Sequence, residues 1–455
     1  MLVTPETIRT LQRKLYTKAK LEPGYRFYAL YDKIYRADIL SHAWKLVKAN
    51  RGGPGIDGES FETIESGDGV DSYLRQISLD LSTRNYRASP VKRVMIPKPQ
   101  ATDGSLRPLG IPTIRDRIVQ MAVKLIIEPI FEADFCADSY GFRPKKNAHQ
   151  AMDTIAETLW RGHTEVIDAD LSKYFDSIPH AKLMKVLAER IVDGAILALI
   201  QQWLKATVMS QVSGGKGGKG GKGGKVMVCG GGKSNGRGTP QGGVISPLLS
   251  NLYLHLLDRI WHRHDLENTL QAKLVRYADD FVVMCRGDAQ APLDAIKRIL
   301  ERLELTLNES KTQVVDAHKT SFRFLGFEVR VNRNAAGRRY PYIEPTERAV
   351  ETIKTRMNEI TARDQTWRPI TEVVRDMNRA LRGWSGYFHV KNSSRQFRKV
   401  KRHSEERLRI HLRKRHKVSD WKTAMIRYPR RVLNEKYGLY KMPTVAGWKS
   451  AHAST

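Results

Sequence analysis

The sequence has few cysteines and no long apolar segment. Cys136, Cys229 and Cys285 are scattered along 455 residues without a Cys-x-x-Cys spacing, which argues against a zinc site or a disulfide framework and suits a reducing compartment. No apolar run approaches the roughly 20 residues of a membrane span. Residues 1–5 lack the charged and then apolar pattern of a signal peptide. We therefore expect a cytoplasmic protein that does not enter a membrane.

Acidic residues are scarce relative to basic ones. The chain has 78 Lys and Arg against 48 Asp and Glu, a formal charge of +30 at pH 7. A protein this basic attracts polyanions, and the release of counterions supplies much of the affinity for nucleic acid. The hydrophobic content of 41% is sufficient for sizeable cores, so wholesale disorder is not expected. We predict about two to four packed units that bind nucleic acid.

The pair Asp279-Asp280 is the most informative local feature. It lies between two apolar, β-rich runs at residues 274–276 and 281–284, which predicts the tip of a β-hairpin. A lone Asp-Asp pair is usually a solvated turn, because Asp favours turns. Here Asp170 lies near the end of a second predicted strand, residues 165–171. Carboxylates from two strands can hold two ions for an in-line phosphoryl displacement, which indicates a nucleotide polymerase.

A third segment lies between the two acidic ones. Residues 238–249 read Gly-Thr-Pro-Gln-Gly-Gly-Val-Ile-Ser-Pro-Leu-Leu, which predicts a turn-rich entry to an apolar helix. Two neighbouring glycines let the backbone approach a ligand closely. The order of the three segments favours the polymerase over the solvated turn.

With these segments, the chain resembles the group II intron-encoded reverse transcriptases, also called maturases. The resemblance covers nearly the whole length, and the ordered set of motifs is much more specific than Tyr-Ala-Asp-Asp alone. The further motifs are Gly52–Gly58, Ile96–Pro99, Arg107–Thr113, Ser139–Pro144, Phe324–Phe327 and Arg382–Phe388. No cluster of paired His and Cys ligands follows, so we expect a member without the endonuclease that many relatives carry.

The resemblance implies an α+β fold of the right-hand polymerase type, with antiparallel sheet in fingers and palm and an all-α thumb. It places an N-terminal extension and fingers at 1–90 and the reverse transcriptase fingers and palm at 91–340. The thumb or maturase domain would occupy 341–417, and a basic DNA-binding region 418–455. Residues 213–238, rich in Gly-Gly-Lys repeats, are predicted to form a mobile loop, as a solvated linker rather than a phosphate contact.

The resemblance also implies the catalytic residues. Two Mg²⁺ ions would be held by the carboxylates of Asp170, Asp279 and Asp280 and by the backbone carbonyl of Leu171. Asp168 shares a strand face with Asp170 and is interpreted as a structural group. Lys311 matches a lysine that can donate a proton to leaving pyrophosphate, with a surface salt bridge as an equal alternative.

Substrate contacts follow from the same motifs. Phe175 occupies the position of a ring that excludes the ribose 2′-hydroxyl, the alternative being simple core packing. Nucleotide contacts are assigned to Lys98, Arg107, Phe175 and Gln241. Template or primer contacts are assigned to Arg143, Gly242, Phe324, Leu325 and Gly326. For Arg143, bracing of the fingers is the alternative role.

The C-terminal part is strongly basic. Residues 395–431 contain 15 Lys and Arg against three acids, and a run this one-sided favours contact with nucleic-acid backbone over a solvated helix face. Arg413, Lys414, Arg415 and Lys417 are the predicted contacts.

The resulting hypothesis is an RNA-directed DNA polymerase that also binds its intron RNA and assists splicing and mobility. Its partners would be group II intron RNA, a DNA target or primer and deoxynucleoside triphosphates, with room for a homodimer. It would lie in a bacterial cytoplasm, with the nucleoid when bound to DNA. Two alternatives stay open: a domesticated relative in defence or repair, and an RNA-binding splicing cofactor without catalysis. The intact Asp170, Asp279 and Asp280 speak against the second.

Overall fold

A computed structural model describes residues 2–97, 104–212, 225–232 and 234–445. The elements before residue 205 are α1 (Glu6–Leu21), α2 (Tyr31–Ile34), α3 (Ala37–Ala49), α4 (Phe61–Ser66), α5 (Val70–Ser82), β1 (Val91–Pro97), β2 (Leu106–Ile111), α6 (Ile114–Glu132), α7 (Ala148–Trp160), β3 (Glu165–Ala169), α8 (Tyr174–Ser177), α9 (His180–Ala188) and α10 (Gly194–Leu204).

The middle of the chain alternates strands and helices. Its elements are β4 (Val208–Val212), β5 (Lys225–Gly230), α11 (Ser246–Arg263), α12 (Leu266–Thr269), β6 (Ala272–Tyr277), β7 (Asp280–Cys285), α13 (Gln290–Arg302), β8 (Gln313–Asp316), β9 (Phe322–Phe324), β10 (Phe327–Arg333) and β11 (Arg339–Pro345).

The rest of the described chain is helical. Its elements are α14 (Glu347–Ile360), a short 3₁₀ turn (Arg363–Gln365), α15 (Ile370–Phe388), α16 (Ser394–Arg415), α17 (Trp421–Arg427) and α18 (Arg430–Glu435). None of the described helices is long and apolar enough to cross a bilayer.

The strands form mainly antiparallel sheets, which confirms the mixed α+β class. The central sheet has the order β6-β7-β3-β8, and every neighbouring pair in it is antiparallel. A second sheet has the order β2-β1-β4-β5, in which only the β1–β4 pair is parallel. The third sheet has the order β11-β10-β9. The antiparallel β1–β2 pair brings the motifs Ile96–Pro99 and Arg107–Thr113 together, with Ile96 opposite Arg107.

The central sheet is buried on both faces, because successive side chains of a strand point to opposite sides. From β7, Phe281 and Val283 pack into the core formed by the helices of the first 300 residues. Val282 and Met284 pack into a second core with Phe327 of β10. Strands covered on both faces read as continuous apolar runs, as residues 281–285 do. The central sheet is therefore a rigid support for the residues at the ends of its strands.

The C-terminal helices share one core, which corrects two predicted boundaries. Residue 340 lies inside β11, whose pairing with β10 continues to Pro345, so the helical part starts at Glu347. Leu433 and Met442 pack in the same cluster as Val350 and Leu412. Residues 418–442 are thus not a separate region, because their apolar side chains complete the core of the preceding helices.

The predicted loop at 213–238 is also corrected in part. Residues 225–230 form β5, which pairs with β4 from Val212↔Lys225 to Val208↔Gly230. The alternating Val and Met of this run favour a strand, a signal that the neighbouring glycines obscured. Residues 213–224 lie outside the described part of the chain.

Candidate active site

The acidic pair lies at the tip of the β6–β7 hairpin, as predicted. Tyr277 pairs with Asp280, so Ala278 and Asp279 alone form the connecting turn. Ala278 has φ +59°, a left-handed conformation that two-residue hairpin turns require and that a residue with a Cβ adopts only at a cost. The turn therefore depends on its surroundings to hold its shape.

Asp170 is brought to this turn by strand pairing. β3 pairs antiparallel with β7, with Ala169 opposite Phe281. Continuing this register by one residue places Asp170 opposite Asp280. Residues opposite each other in an antiparallel pair have Cβ atoms roughly 5 Å apart. The structure thus brings Asp170 together with Asp279 and Asp280, which follow it by more than 100 residues in sequence.

The electrostatics of Asp280 show how crowded these acids are. Desolvation by the surrounding protein, followed by the charges of Asp279, Asp170 and Asp168, raises the pKa of Asp280 to about 7. Lys311 acts in the opposite direction. Burial and the negative charge of Asp170 also raise the pKa of Asp279. Such a cluster favours a cation, which would relieve the repulsion.

Asp168 belongs to this cluster more closely than the sequence suggests. It lies two residues before Asp170, on the same face of β3, and pairs with Val282 of β7 and Gln313 of β8. Burial, followed by the charge of Asp170, raises the pKa of Asp168 to about 6, against a hydrogen bond from Gln313. Asp168 therefore adds negative potential at Asp170 and Asp280.

Lys311 contacts the site directly. Its Nζ lies 3.1 Å from Asp170 Oδ2, and Asn308 donates a hydrogen bond from Nδ2 to the same oxygen at 3.2 Å. The backbone is tied too, because Asn308 N donates to the Asp170 carbonyl at 2.8 Å. The salt bridge considered from sequence is present, and its partner is Asp170, one of the predicted metal ligands. Asn308 had no sequence signal of its own.

The donor set suits a hard divalent cation. Carboxylate oxygens are the ligands that Mg²⁺ prefers, usually one or two per ion with substrate phosphates completing the shell. Across the residues that the structure describes, no group of three or more acidic, His or Cys side chains is itself arranged to hold a metal ion. Leu171, whose carbonyl is a predicted ligand, is buried and pairs with Leu307.

Phe175 and the glycine-rich segment lie beside each other. Thr239 N donates to the Phe175 carbonyl at 2.7 Å, and the Phe175 ring is partly buried against the main core. Both readings of Phe175 are therefore compatible with its position.

The segment of Gln241 and Gly242 is docked on β2. Gly110 N donates to the Gln241 carbonyl at 2.6 Å. A Cβ on Gly242, which has φ +111°, would lie 2.4 Å from the Gly110 carbonyl oxygen. Gly242 is therefore required by its close approach to the backbone of β2. The sequence had suggested a close approach to a ligand.

Three basic residues were assigned to nucleotide or template. Arg107 lies exposed on β2, where it can face a substrate, and Lys98 lies outside the described residues. The side chain of Arg143 is 6% exposed, pairs with Glu132 at 3.0 Å and donates to the carbonyls of Cys136 and Ser139, each at 2.6 Å. These contacts engage its guanidinium and favour the bracing alternative over the predicted template contact.

Three of the residues assigned to template or primer lie where a hairpin turn connects β9 and β10: Phe324, Leu325 and Gly326. Phe324 pairs with Phe327, and the turn consists of Leu325 (φ +50°) and Gly326 (φ +79°). Tyr387 of α15 stacks on Phe327 with ring centroids 5.7 Å apart. Burial raises the pKa of Tyr387 to about 12, with Tyr277 and Asp280 contributing. Tyr387, which lies in the motif Arg382–Phe388 but was assigned no role from sequence, thus contacts this hairpin and is influenced by the charge of Asp280.

The arginines and lysines of the basic cluster at the end of α16 differ in their contacts. Arg413 donates to the Ser419 carbonyl at 3.2 Å, and Arg415 to the Thr366 carbonyl at 2.8 Å. Lys414 and Lys417 are exposed. Of the four predicted nucleic-acid contacts, the two arginines are therefore used at least in part to hold the fold.

Comparison with known proteins agrees with this site. Residues 96–329 match the family model for reverse transcriptase (RNA-dependent DNA polymerase), and residues 350–428 match the maturase-specific domain of group II introns. The first region contains all three carboxylates, and the second contains α15 and α16. The match therefore places the chain among RNA-dependent DNA polymerases.

Individual relatives narrow this class. The chain is 34% identical to the protein YkfC of Escherichia coli (strain K12), over 72% of this chain and 90% of that protein. It is 26% identical to the group II intron-encoded protein LtrA of Lactococcus lactis subsp. cremoris, over 81% of this chain and 72% of that protein. The chain belongs to the group II intron reverse transcriptases with a maturase domain. It is accordingly an RNA-directed DNA polymerase that also assists the splicing of intron RNA.

Proposed function

We propose that Asp170, Asp279 and Asp280 hold two Mg²⁺ ions and that the chain adds deoxynucleotides to a primer at this site. The supporting observation is the β3–β7 register, which sets Asp170 against the Asp279-Asp280 turn. When bound, the ions supply charge stabilisation to the attacking and leaving oxygens. The raised pKa values of Asp279 and Asp280 support a site built for cations.

The neighbouring side chains would position the nucleotide. Lys311, at 3.1 Å from Asp170, would donate a proton to the departing pyrophosphate while it balances the carboxylate charge. Phe175 would exclude the 2′-hydroxyl of a ribonucleotide. Arg107 would contact the triphosphate through charge-assisted hydrogen bonds.

The domains would divide the remaining work. We assign residues up to Pro345 to the N-terminal extension, fingers and palm, and the helices from Glu347 onward to a thumb and maturase domain. The Leu325-Gly326 turn would hold the primer end. The basic surface of α16 would bind intron RNA and the DNA target, with Lys414 and Lys417 in contact with phosphate. The cytoplasm, near the nucleoid, is the compartment that offers all of these partners.

Primer extension on an RNA template tests the catalytic assignment. Asp279→Asn should abolish magnesium-dependent extension while RNA affinity stays within about twofold, because the carboxylate positions metal rather than template. Glu301→Gln is the matched control, since Glu301 is an exposed acid on α13 and should leave extension unchanged. Normal extension by the Asp279 variant would refute the assignment.

A further inference from the structure

Arg276 is a buried charge directly behind the acidic turn. It is the penultimate residue of β6, two positions before Ala278, and only 1% of it is exposed. Burying a guanidinium is costly unless its donors are satisfied. The hydrogen-bond partners of the Arg276 guanidinium therefore show which parts of the fold it connects.

The donors of Arg276 join helix α11 to the turn. Nε donates to Asp258 Oδ1 at 2.9 Å, which neutralises the charge. Nη1 donates both to Asn251 Oδ1 at 3.1 Å and to the Ala278 carbonyl at 2.9 Å. Asp258 and Asn251 both belong to α11. One side chain thus links a core helix to the backbone between the strand and Asp279.

The segment that contains Gly141 also contacts the turn. A Cβ on Gly141 would lie 2.2 Å from Ala278 N, so the two backbones are in direct contact. Asn251 Nδ2 donates to the Gly141 carbonyl at 2.6 Å. The left-handed Ala278 is therefore contacted by both Arg276 and Gly141, and both are hydrogen-bonded to Asn251. An arrangement of this kind can maintain a strained conformation.

We propose that Arg276 is a positioning residue for nucleotide addition. With Asp258 and Asn251, it fixes the backbone of the Ala278-Asp279 turn and thereby sets where the carboxylates of Asp279 and Asp280 meet the metal ions. The inference rests on the proposed metal-binding role of these two acids. It predicts that loss of Arg276 impairs metal binding and turnover beyond any effect on folding.

Arg190 offers a matched control. It is 5% exposed, pairs with Asp134 at 2.8 Å and donates to the Pro23 and Ala19 carbonyls, each at 2.6 Å. It has the same chemistry as Arg276, a buried guanidinium shared between a carboxylate and backbone carbonyls. Its side-chain hydrogen bonds within the described chain are to residues 19–25 and 134, none of which belongs to the acidic turn.

The experiment compares Arg276→Lys with Arg190→Lys in the full chain. Lysine keeps the charge but cannot reproduce the fork of donors, so both variants should lower the unfolding temperature. Mn²⁺ binding, measured by electron paramagnetic resonance of the free ion, and steady-state extension then separate them. Arg276→Lys should weaken Mn²⁺ binding and lower kcat by about fivefold or more, while Arg190→Lys stays within about twofold of wild type.

Wild-type Mn²⁺ affinity and kcat in folded Arg276→Lys would overturn the inference. Should that variant not fold, Asn251→Ser removes one acceptor of Arg276 and the Gly141 contact while it keeps the Asp258 pair. It should show the same losses to a smaller degree, and wild-type values there would equally overturn the inference. Asp279→Asn tests the proposed function separately from the role of Arg276. If this variant binds Mn²⁺ as wild type does, the metal site itself is misassigned.

Discussion

The Tyr387 hydroxyl donates a hydrogen bond to the Leu325 carbonyl at 3.1 Å. Tyr387 is the second-last residue of α15 in the maturase-specific region, and Leu325 lies in the hairpin turn between β9 and β10. His149 Nε2 lies 2.7 Å from the Tyr387 carbonyl, which fixes this end of the helix to α7. The maturase-specific part of the chain is thereby joined to the reverse transcriptase part through Leu325 and His149.

Tyr387→Phe tests that connection. The ring can still stack on Phe327, so only the hydrogen bond to Leu325 is removed, typically about 1 kcal/mol. If the turn holds the primer end, the KM for primer should rise by about fivefold with little change in kcat. Tyr342→Phe is the control, because its hydroxyl donates to Glu344 in the same sheet. Equal primer KM values in both variants would argue against the connection.

Phe175 should determine the choice of sugar. Phe175→Val shortens the side chain, which removes the clash with a 2′-hydroxyl and should raise ribonucleotide incorporation relative to deoxynucleotide. Phe175→Tyr keeps the bulk and should leave the ratio unchanged. Incorporation of the two nucleotide types is measured side by side. An unchanged ratio in the valine variant would make Phe175 a core residue and nothing more.

The glycine-rich segment should be dispensable for extension. Val212 pairs with Lys225, so the strand ends on either side of residues 213–224 are already adjacent. Replacing these residues by Asn-Gly, a favoured two-residue hairpin turn, should leave extension on a short primed template within about twofold, because changes in loop length alter closure entropy only slowly. Loss of extension with an unchanged unfolding temperature would show that the segment contacts substrate.

The basic residues at the end of α16 should separate into two functional groups. Lys414→Gln with Lys417→Gln should flatten the salt dependence of RNA binding, by roughly 0.7 to 0.9 in slope for each phosphate that the variant no longer neutralises, without loss of stability. Arg413→Gln and Arg415→Gln should instead lower the unfolding temperature, since these side chains hold the Ser419 and Thr366 carbonyls. An unchanged salt slope in the lysine variant would make this end of α16 a solvated face.

Local patterns predicted the hairpins and the acids well. The Asp279-Asp280 turn between apolar runs and the strand that carries Asp170 are both found, because alternation and turn chemistry act over a few residues. The partners of the arginines that hold the fold were not predictable in this way. Arg143 meets Glu132, and Arg415 meets the Thr366 carbonyl, contacts that only the folded chain defines.

Contacts between residues distant in sequence also explain why the structure differs from the prediction at Gly242 and at the boundary at residue 340. Gly242 is a glycine because of Gly110 on a distant strand, whereas the sequence shows only that a glycine is there. β11 crosses the predicted boundary at 340 because β10 is available as its partner. Strand pairing across sequence distance decides both outcomes.

The most direct measurement of the central claim is the location of bound Mn²⁺ by anomalous X-ray scattering from crystals of the chain with primed RNA template and a non-reactive deoxynucleotide analogue. The account predicts two Mn²⁺ peaks in contact with carboxylate oxygens of Asp170 and the Asp279-Asp280 turn, and their disappearance in Asp279→Asn crystals. A bound nucleotide with no Mn²⁺ at these carboxylates, or with Mn²⁺ held by other side chains, would contradict it.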